Sequence, residues 1–322
     1  MKETNSGSRT ASSNQLYPRS YTGFACGKAI LVGEHSVVYG AGSVAIPLKS
    51  MTVSLSLEPR NDSSEHNKLF LGGKEVSDRI ADIIPDAFNL LGRKSFSLTI
   101  DGHSKIPIGA GLGSSATLCV ATLRTILGSY GETFSQSGLA KLANKMEERF
   151  HGSPSGLDTA VVAHEEPILF HKGNDPKILY REDQATEASL HFALIDSKIR
   201  ASTLAMIKVA KPYFMGSEGN RRLSQLDDLA METAAAFRRH DEPAIAEAMS
   251  HNSVYLNEAG VVPEVLQQMI HKCRSLGVLG SKTTGAGGGG TLICLLDSSH
   301  WQHQLDLLKA AFPKNPVFHV SI

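Results

Sequence analysis

Four segments of the 322-residue chain set charged or hydroxyl side chains among glycines in spacings that suit phosphoryl chemistry. The first is Pro107-Ile108-Gly109-Ala110-Gly111-Leu112-Gly113-Ser114-Ser115-Ala116, where glycine fills three of the five positions from 109 to 113. Glycine tolerates left-handed backbone and lets the main chain come close to a ligand. Ser114 and Ser115 fall where an apolar helix begins, so free amide hydrogens and the positive dipole end meet an anion there. This is a phosphate cradle; the plainer alternative is a tight strand-to-helix turn with a serine cap. It lacks the lysine of a Walker A loop and the spacing of GxGxxG.

Glu147 and Asp158 are 11 residues apart, the first near the end of one helical stretch and the second in the first turn of the next. The intervening His151-Gly152-Ser153-Pro154-Ser155-Gly156 reverses the chain, so the two carboxylates are expected at one cleft. Beside a phosphate loop they suggest a division of labour, one holding Mg²⁺ and the other aligning or deprotonating a hydroxyl. The helix dipole favours an ionised Asp158.

In Gly27-Lys28-Ala29-Ile30-Leu31-Val32-Gly33-Glu34-His35, Lys28 stands at the entrance of a short apolar strand and Glu34 and His35 at its exit. Lys28 could project an ammonium into a cleft, against the default of a solvated surface lysine. Ser281-Lys282-Thr283-Thr284-Gly285-Ala286-Gly287-Gly288-Gly289-Gly290 does contain GxGxxG. The strand Thr291 to Leu296 follows where a dinucleotide fold needs a helix, so NAD binding is rejected. The run of small residues reads instead as a wall with no side chains to obstruct a neighbour. Neither HExxH nor GxSxG occurs, which removes the foothold for zinc or serine hydrolysis.

The elements that must carry these groups are legible from hydrophobic periodicity. Met51 to Leu57 and Phe96-Leu98-Ile100 alternate as strands with one wet face. Val76 to Leu91 has helical spacing that Pro85 must bend or divide. Thr117 to Leu127, Gln136 to Phe150 and Gly156 to Ala163 read as helices, giving a mixed first half. After the polar stretch Asn174 to Glu187 come a strand at Leu190 to Ile195 and helices around Thr203 to Lys211, Leu223 to Arg238 and Pro243 to Glu258. The strand Thr291 to Leu296, the helix Trp301 to Ala311 and a last strand Val317 to Ile322 complete the chain. The expected division is a tail over residues 1–20, one domain over 21–188 and a second over 189–322.

Lys plus Arg and Asp plus Glu are 32 each, so no net field draws the chain to nucleic acid or an acidic membrane. No apolar run approaches the roughly 20 residues that span a bilayer. Without a secretory block at the start, the cytoplasm is the expected location. The four cysteines, with no CxxC pair, read as buried reduced thiols.

Taken together, the four segments resemble the GHMP kinase superfamily, from about residue 22 to the end of the chain. Gly27 to Gly40 looks like its first motif, Ile108 to Ala116 its phosphate loop, His151 to Asp158 the segment bearing its catalytic aspartate, and Lys282 to Gly290 its third motif. The resemblance implies an α+β fold. Its N-terminal domain would hold a left-handed βαβ unit, like domain 2 of ribosomal protein S5, and its C-terminal domain would be ferredoxin-like. It also implies ATP and Mg²⁺ as the cofactors, and transfer of a phosphoryl group to the C5 hydroxyl of mevalonate in isoprenoid biosynthesis. A homodimer is common in the superfamily.

Carried over by position, Asp158 matches the catalytic aspartate and Lys28 the lysine that stabilises developing charge. Glu147 matches the Mg²⁺-binding glutamate, with Ser115 or Ser114 as its partner. Pro107 and the loop Gly109, Ala110, Gly111, Leu112, Gly113, Ser114 and Ser115 match the ATP-phosphate site. Glu34, His35 and Thr203 match positions at the substrate pocket, and Gly285, Ala286 and Gly287 the third-motif loop. The superfamily often has Ala-Pro-Gly before the lysine, where this chain has Ala25-Cys26-Gly27. Val37 stands where galactokinases carry a sugar-binding aspartate, which disfavours a sugar. Phosphomevalonate or homoserine kinase activity, and a non-catalytic sensor on the same scaffold, are the alternatives.

Overall fold

The computed structural model describes residues 17–59, 67–94, 98–152, 154–179 and 189–322. Outside them lie residues 1–16 of the expected tail, most of the polar loop after Pro59, Phe96, Ser153 and the expected boundary at residue 188. The first elements are β1 (Tyr21–Val32), β2 (Ser43–Pro59), β3 (Lys68–Leu71), β4 (Lys74–Glu75), α1 (Asp78–Ala81), α2 (Ile83–Leu90) and β5 (Leu98–Ser104). Next are α3 (Ser114–Ser129), α4 (Gln136–His151), α5 (Leu157–His164), β6 (Ile168–Phe170), β7 (Lys177–Ile178) and β8 (His191–Asp196). There follow α6 (Thr203–Met215), α7 (Gly219–Arg238), α8 (Glu242–Glu258) and α9 (Glu264–Ser275), then β9 (Gly280–Thr284), β10 (Thr291–Leu296), α10 (Trp301–Ala311) and β11 (Val317–Ser321).

These elements cluster into two compact units, and β1 and β2 each run from one into the other. The first unit contains the described residues within 1–27, 51–106 and 115–164. Within it the C-terminal half of β2 pairs antiparallel with β5, Val53 opposite Ser104 and Leu57 opposite Ile100, while β3 runs parallel to β5. The expected alternation holds: Val53, Leu55 and Leu57 are buried while Thr52, Ser54 and Ser56 are half-buried. α3 is apolar around almost its whole circumference and is buried nearly throughout. Its hydroxyls stay satisfied in that setting, Thr122 and Thr125 by donating to the carbonyls one turn back at Leu118 and Ala121. The helical stretch through Val76 to Leu91 divides at Asp82, three residues ahead of Pro85. Pro85 thereby falls in the first turn of α2, where its missing N–H costs nothing.

The second unit contains the described residues within 28–50, 107–114 and 165–322. Its main sheet is antiparallel with strand order β11-β8-β10-β9. Numbered within that sheet the order is fourth, first, third, second, with four helices between the first and second strands and one between the third and fourth: the split βαβ arrangement of a ferredoxin-like domain. β10 lies in the middle, all six residues buried, which its unbroken apolar run Leu292 to Leu296 requires. β9 and α9 went unread in the sequence, β9 because small and polar residues hide a strand that is buried along its whole length. The start of β2 also pairs with β6 here, Ser43 opposite Phe170. All four cysteines are buried, and none of them is in a disulfide. Among the described residues, no helix is long and apolar enough to cross a membrane.

Candidate functional site

In the second unit, the loop from Pro107 to Gly113 is built on left-handed backbone: φ is 67° at Gly109, 79° at Gly111 and 75° at Gly113. At Gly111 a Cβ would stand 2.8 Å from the Thr284 carbonyl oxygen, so glycine is required by shape as well as by torsion. The third-motif loop supplies the other side of this approach, a Cβ at Gly285 falling 2.8 Å from the Gly111 carbonyl oxygen. Thr291 Oγ1 donates to the Ala110 carbonyl at 2.9 Å. Two glycine-rich segments, 174 residues apart when counted from Gly111 to Gly285, thus touch backbone to backbone. The expected wall of small residues is what allows it. The same loop closes on the start of α6, where Gly288 faces Ala201 and Met206 and the Gly290 amide donates to the Ile199 carbonyl. Thr203 is the first residue of α6, behind the cap Ser202.

Lys28 is 2% exposed, not the solvated lysine of the default reading. Its stem passes over Gly113, where a Cβ would lie 2.8 Å from Lys28 Cγ, and its Nζ donates to the Gly111 carbonyl at 3.3 Å. The Lys28 amide donates to the Leu112 carbonyl at 3.1 Å. The first motif and the phosphate loop are therefore joined by main chain and side chain together, which puts an ammonium at the Gly111 carbonyl of the loop.

At the exit of β1, Glu34 and His35 are both buried. Glu34 has both carboxylate oxygens engaged: Oε1 pairs with Lys282 Nζ, and Oε2 accepts from Asn252 Nδ2 at 2.7 Å. Asn252 Oδ1 in turn accepts from the Gly33 amide at 3.0 Å. His35 takes up φ 63°, an uncommon torsion for a residue with a side chain, and its Nε2 lies 2.9 Å from the Ala286 carbonyl oxygen. Burial lowers its proton affinity, against the Ala286 hydrogen bond and the Glu34 charge, which raise it. At pH 7 the ring is neutral.

In the first unit, Ser115 Oγ donates to Glu147 Oε1 at 2.7 Å, and Glu147 is 2% exposed. Of the two serines at the head of α3, Ser115 is the one that meets the glutamate. The pair offers two hard oxygen donors, a set that fits Mg²⁺, which keeps most of its own waters and needs few protein ligands. Asp158 lies in the first turn of α5, half-buried.

Sequence reasoning missed three participants in the second unit. Lys282 is fully buried, although it lies inside a segment singled out for its glycines. Asn252 is a polar residue at the buried face of an amphipathic helix, a weak signal that periodicity alone provides. Arg200 forks onto Asp196 with bonds of 2.7 and 2.8 Å and donates from Nε to the Ile108 carbonyl at 2.8 Å. Burial raises the Asp196 carboxyl, but the guanidinium and the Lys198 amide outweigh it and hold that carboxyl below the usual range. The arginine thus anchors the outer end of the phosphate loop to the last residue of β8.

Residues 79–166 match the model of the GHMP kinases N-terminal domain and residues 233–311 that of the GHMP kinases C-terminal domain. The chain is 32% identical over 276 residues to a mevalonate kinase of Methanothermobacter thermautotrophicus, covering 83% of this chain and 87% of that protein. It is 29% identical over 297 residues to a mevalonate kinase of Thermococcus onnurineus, covering 83% and 86%. Its fold is that of an L. major mevalonate kinase crystallised in complex with R-mevalonate, with a TM-score of 0.79 over 95% of this chain and 98% of that one, at 20% identity.

Proposed function

From the chain's membership of the mevalonate kinase family of GHMP kinases, we infer that it transfers the terminal phosphoryl group of ATP to the C5 hydroxyl of mevalonate, giving 5-phosphomevalonate. The observation that carries this reading is the 32% identity, spread over 276 residues rather than confined to the motifs. The phosphate loop supports it, because its three left-handed glycines turn backbone toward a ligand and Lys28 lies beside them.

Phosphoryl transfer through a loose transition state asks for positioning and charge neutralisation more than for covalent chemistry. In this reading the amides of Gly109 to Ser115 hold the nucleotide phosphates, and the Lys28 ammonium stabilises charge on the group in transit. Asp158 takes or orients the proton of the attacking hydroxyl; an ionised carboxylate at a helix start is suited to accept it. Glu147 and Ser115 would hold Mg²⁺, which when bound neutralises phosphate charge. His35 and Thr203 are assigned to the substrate pocket. Glu34, whose two oxygens are taken by Lys282 and Asn252, serves that pocket by holding the turn that carries His35. Isoprenoid biosynthesis as the setting, the cytoplasm as the place and a homodimer as the assembly go with the same reading, as does the division into an ATP-binding domain to residue 188 and a second domain beyond it.

The test is a coupled assay of ADP release with mevalonate, phosphomevalonate, homoserine and galactose offered in turn. Turnover with mevalonate well above the other three is expected. Turnover with a different acceptor reassigns the substrate, and no phosphorylated product from any of them leaves a non-catalytic ligand sensor.

A further inference from the structure

Ile30, two residues after Lys28 in the first motif, has both of its backbone groups taken by side chains of one other strand. Its amide donates to Thr284 Oγ1 at 2.8 Å and its carbonyl accepts from Lys282 Nζ at 3.2 Å, both from β9. Lys282 also donates to the Thr283 carbonyl at 2.6 Å and pairs with Glu34. All three acceptors around the ammonium are therefore accounted for, in a position with no exposure to solvent. A lysine is rarely buried so completely unless it is paired. Its burial favours the neutral amine, and so does the nearby Lys28, whereas Glu34 favours the ammonium.

We propose that Lys282 is a positioning residue for the phosphoryl transfer, clamping β1 between Lys28 and His35 through Ile30 and Glu34. Ile30 is two residues after Lys28 on the same strand, so a slide of β1 past the clamp carries the Lys28 ammonium away from the phosphate loop. On the other side, Glu34 is held by Lys282 and Asn252, and Asn252 also holds Gly33. Loss of the clamp frees the turn that keeps His35 in its left-handed torsion against Ala286. Lys282 touches neither partner of the reaction in this account; it acts through Lys28 and His35. The inference rests on the kinase reading above.

The decisive variant is Lys282→Met combined with Glu34→Gln, which keeps volume and leaves no buried charge unpaired. Three quantities are read against the wild type: the thermal midpoint, the affinity for ATP by calorimetry, and KM and kcat with mevalonate. Expected are a folded protein with ATP affinity near that of the wild type and a kcat/KM lower by on the order of a hundredfold, the size of effect that a small misplacement of reacting groups produces. Lys282→Arg should lose activity as well, since a planar fork cannot replace a compact ammonium among three oxygens. A double variant with wild-type kcat and KM overturns the proposal and leaves Lys282 a purely structural lysine. Should the double variant fail to fold, Asn252→Ala releases the same turn from its far side, and an unchanged kcat/KM there overturns the proposal equally. If the wild type itself phosphorylates no mevalonate, it is the kinase reading that fails, and ATP binding by the same proteins registers that separately.

Discussion

Ser115 Oγ donates to Glu147 Oε1 at 2.7 Å, joining the first turn of α3 to the fourth turn of α4. The pair follows from two features of sequence, a serine at the head of the phosphate-loop helix and a glutamate on the face of α4 that is buried with Ala143 and Met146. A carboxylate in that position is in place for a cation only while the serine fixes its rotamer. Ser115→Ala should therefore raise the Mg²⁺ concentration for half-maximal activity by roughly tenfold or more, as loss of a residue that orients a metal ligand does. A companion effect is a stability loss of about 1.5–3 kcal/mol, for one hydrogen bond to a charged acceptor. A magnesium titration of the variant decides the matter: a curve that overlies the wild type leaves the pair a structural contact.

Asp158→Asn removes charge and almost no volume at the first turn of α5, where the dipole contribution is only about 0.3–1 kcal/mol. The variant should fold and bind ATP. Its kcat should fall by at least roughly a hundredfold, the low end for general acid-base assistance. Single-turnover phosphoryl transfer reads this step apart from product release, and an unimpaired rate there takes Asp158 out of the mechanism.

Gly111 and Gly40 separate shape from torsion. Both have positive φ, 79° and 101°, so alanine at either carries the strain of left-handed backbone, about 1–2 kcal/mol. A Cβ at Gly40 meets nothing within 4 Å, whereas at Gly111 it is driven to 2.8 Å from the backbone oxygen of Thr284, which cannot swing aside. Gly40→Ala should lose stability and keep its ATP affinity. Gly111→Ala should weaken ATP binding by about tenfold or more, equivalent to 1.4 kcal/mol of distortion at the loop. Calorimetry on both proteins tests the contrast; equal ATP affinities mean the loop does not meet the phosphates.

What the sequence disclosed and what it hid divide along a physical line. Glycine spacing, an apolar helix after two serines and a carboxylate at a helix start are local, so the phosphate loop, α3 and the place of Asp158 could be read directly. Lys282 could not, because its burial depends on Glu34, 248 residues away in the chain, and a lone lysine defaults to the surface. Arg200 is hidden for the same reason, since its partner Ile108 is 92 residues off. β9 escaped notice because Ser281-Lys282-Thr283-Thr284 lacks the apolar alternation of a strand, although every residue in it is buried. Lys282 and Thr284 are inside because they bond β1 at Ile30, and Ser281 because it donates to the Ile270 carbonyl of α9, so long-range polar contacts override the local pattern there.

The chain's single tryptophan offers an internal reporter of protonation in the second unit. The Trp301 indole stacks 4.6 Å from the His191 ring and 4.2 Å from the His319 ring, and His191 Nδ1 lies 3.1 Å from His319 Nε2. Burial lowers the proton affinity of both histidines; Glu242 works against this at His191, while His191 and Lys309 add to it at His319. Both rings are then neutral at pH 7, one donating to the other, and the pair titrates as a unit rather than as two independent groups. Because the folded values lie below the unfolded value of about 6.5, the stability this arrangement contributes is fully present above that pH and is lost as pH falls through the folded values. A stacked imidazolium quenches indole emission, so fluorescence should drop on acidification with a midpoint below about pH 6.5, while the protein remains folded by circular dichroism. His191→Gln with His319→Gln should abolish the drop and flatten that part of the stability profile. Emission in the wild type that stays level from about pH 8 to about pH 5 shows instead that the rings never charge while stacked on Trp301.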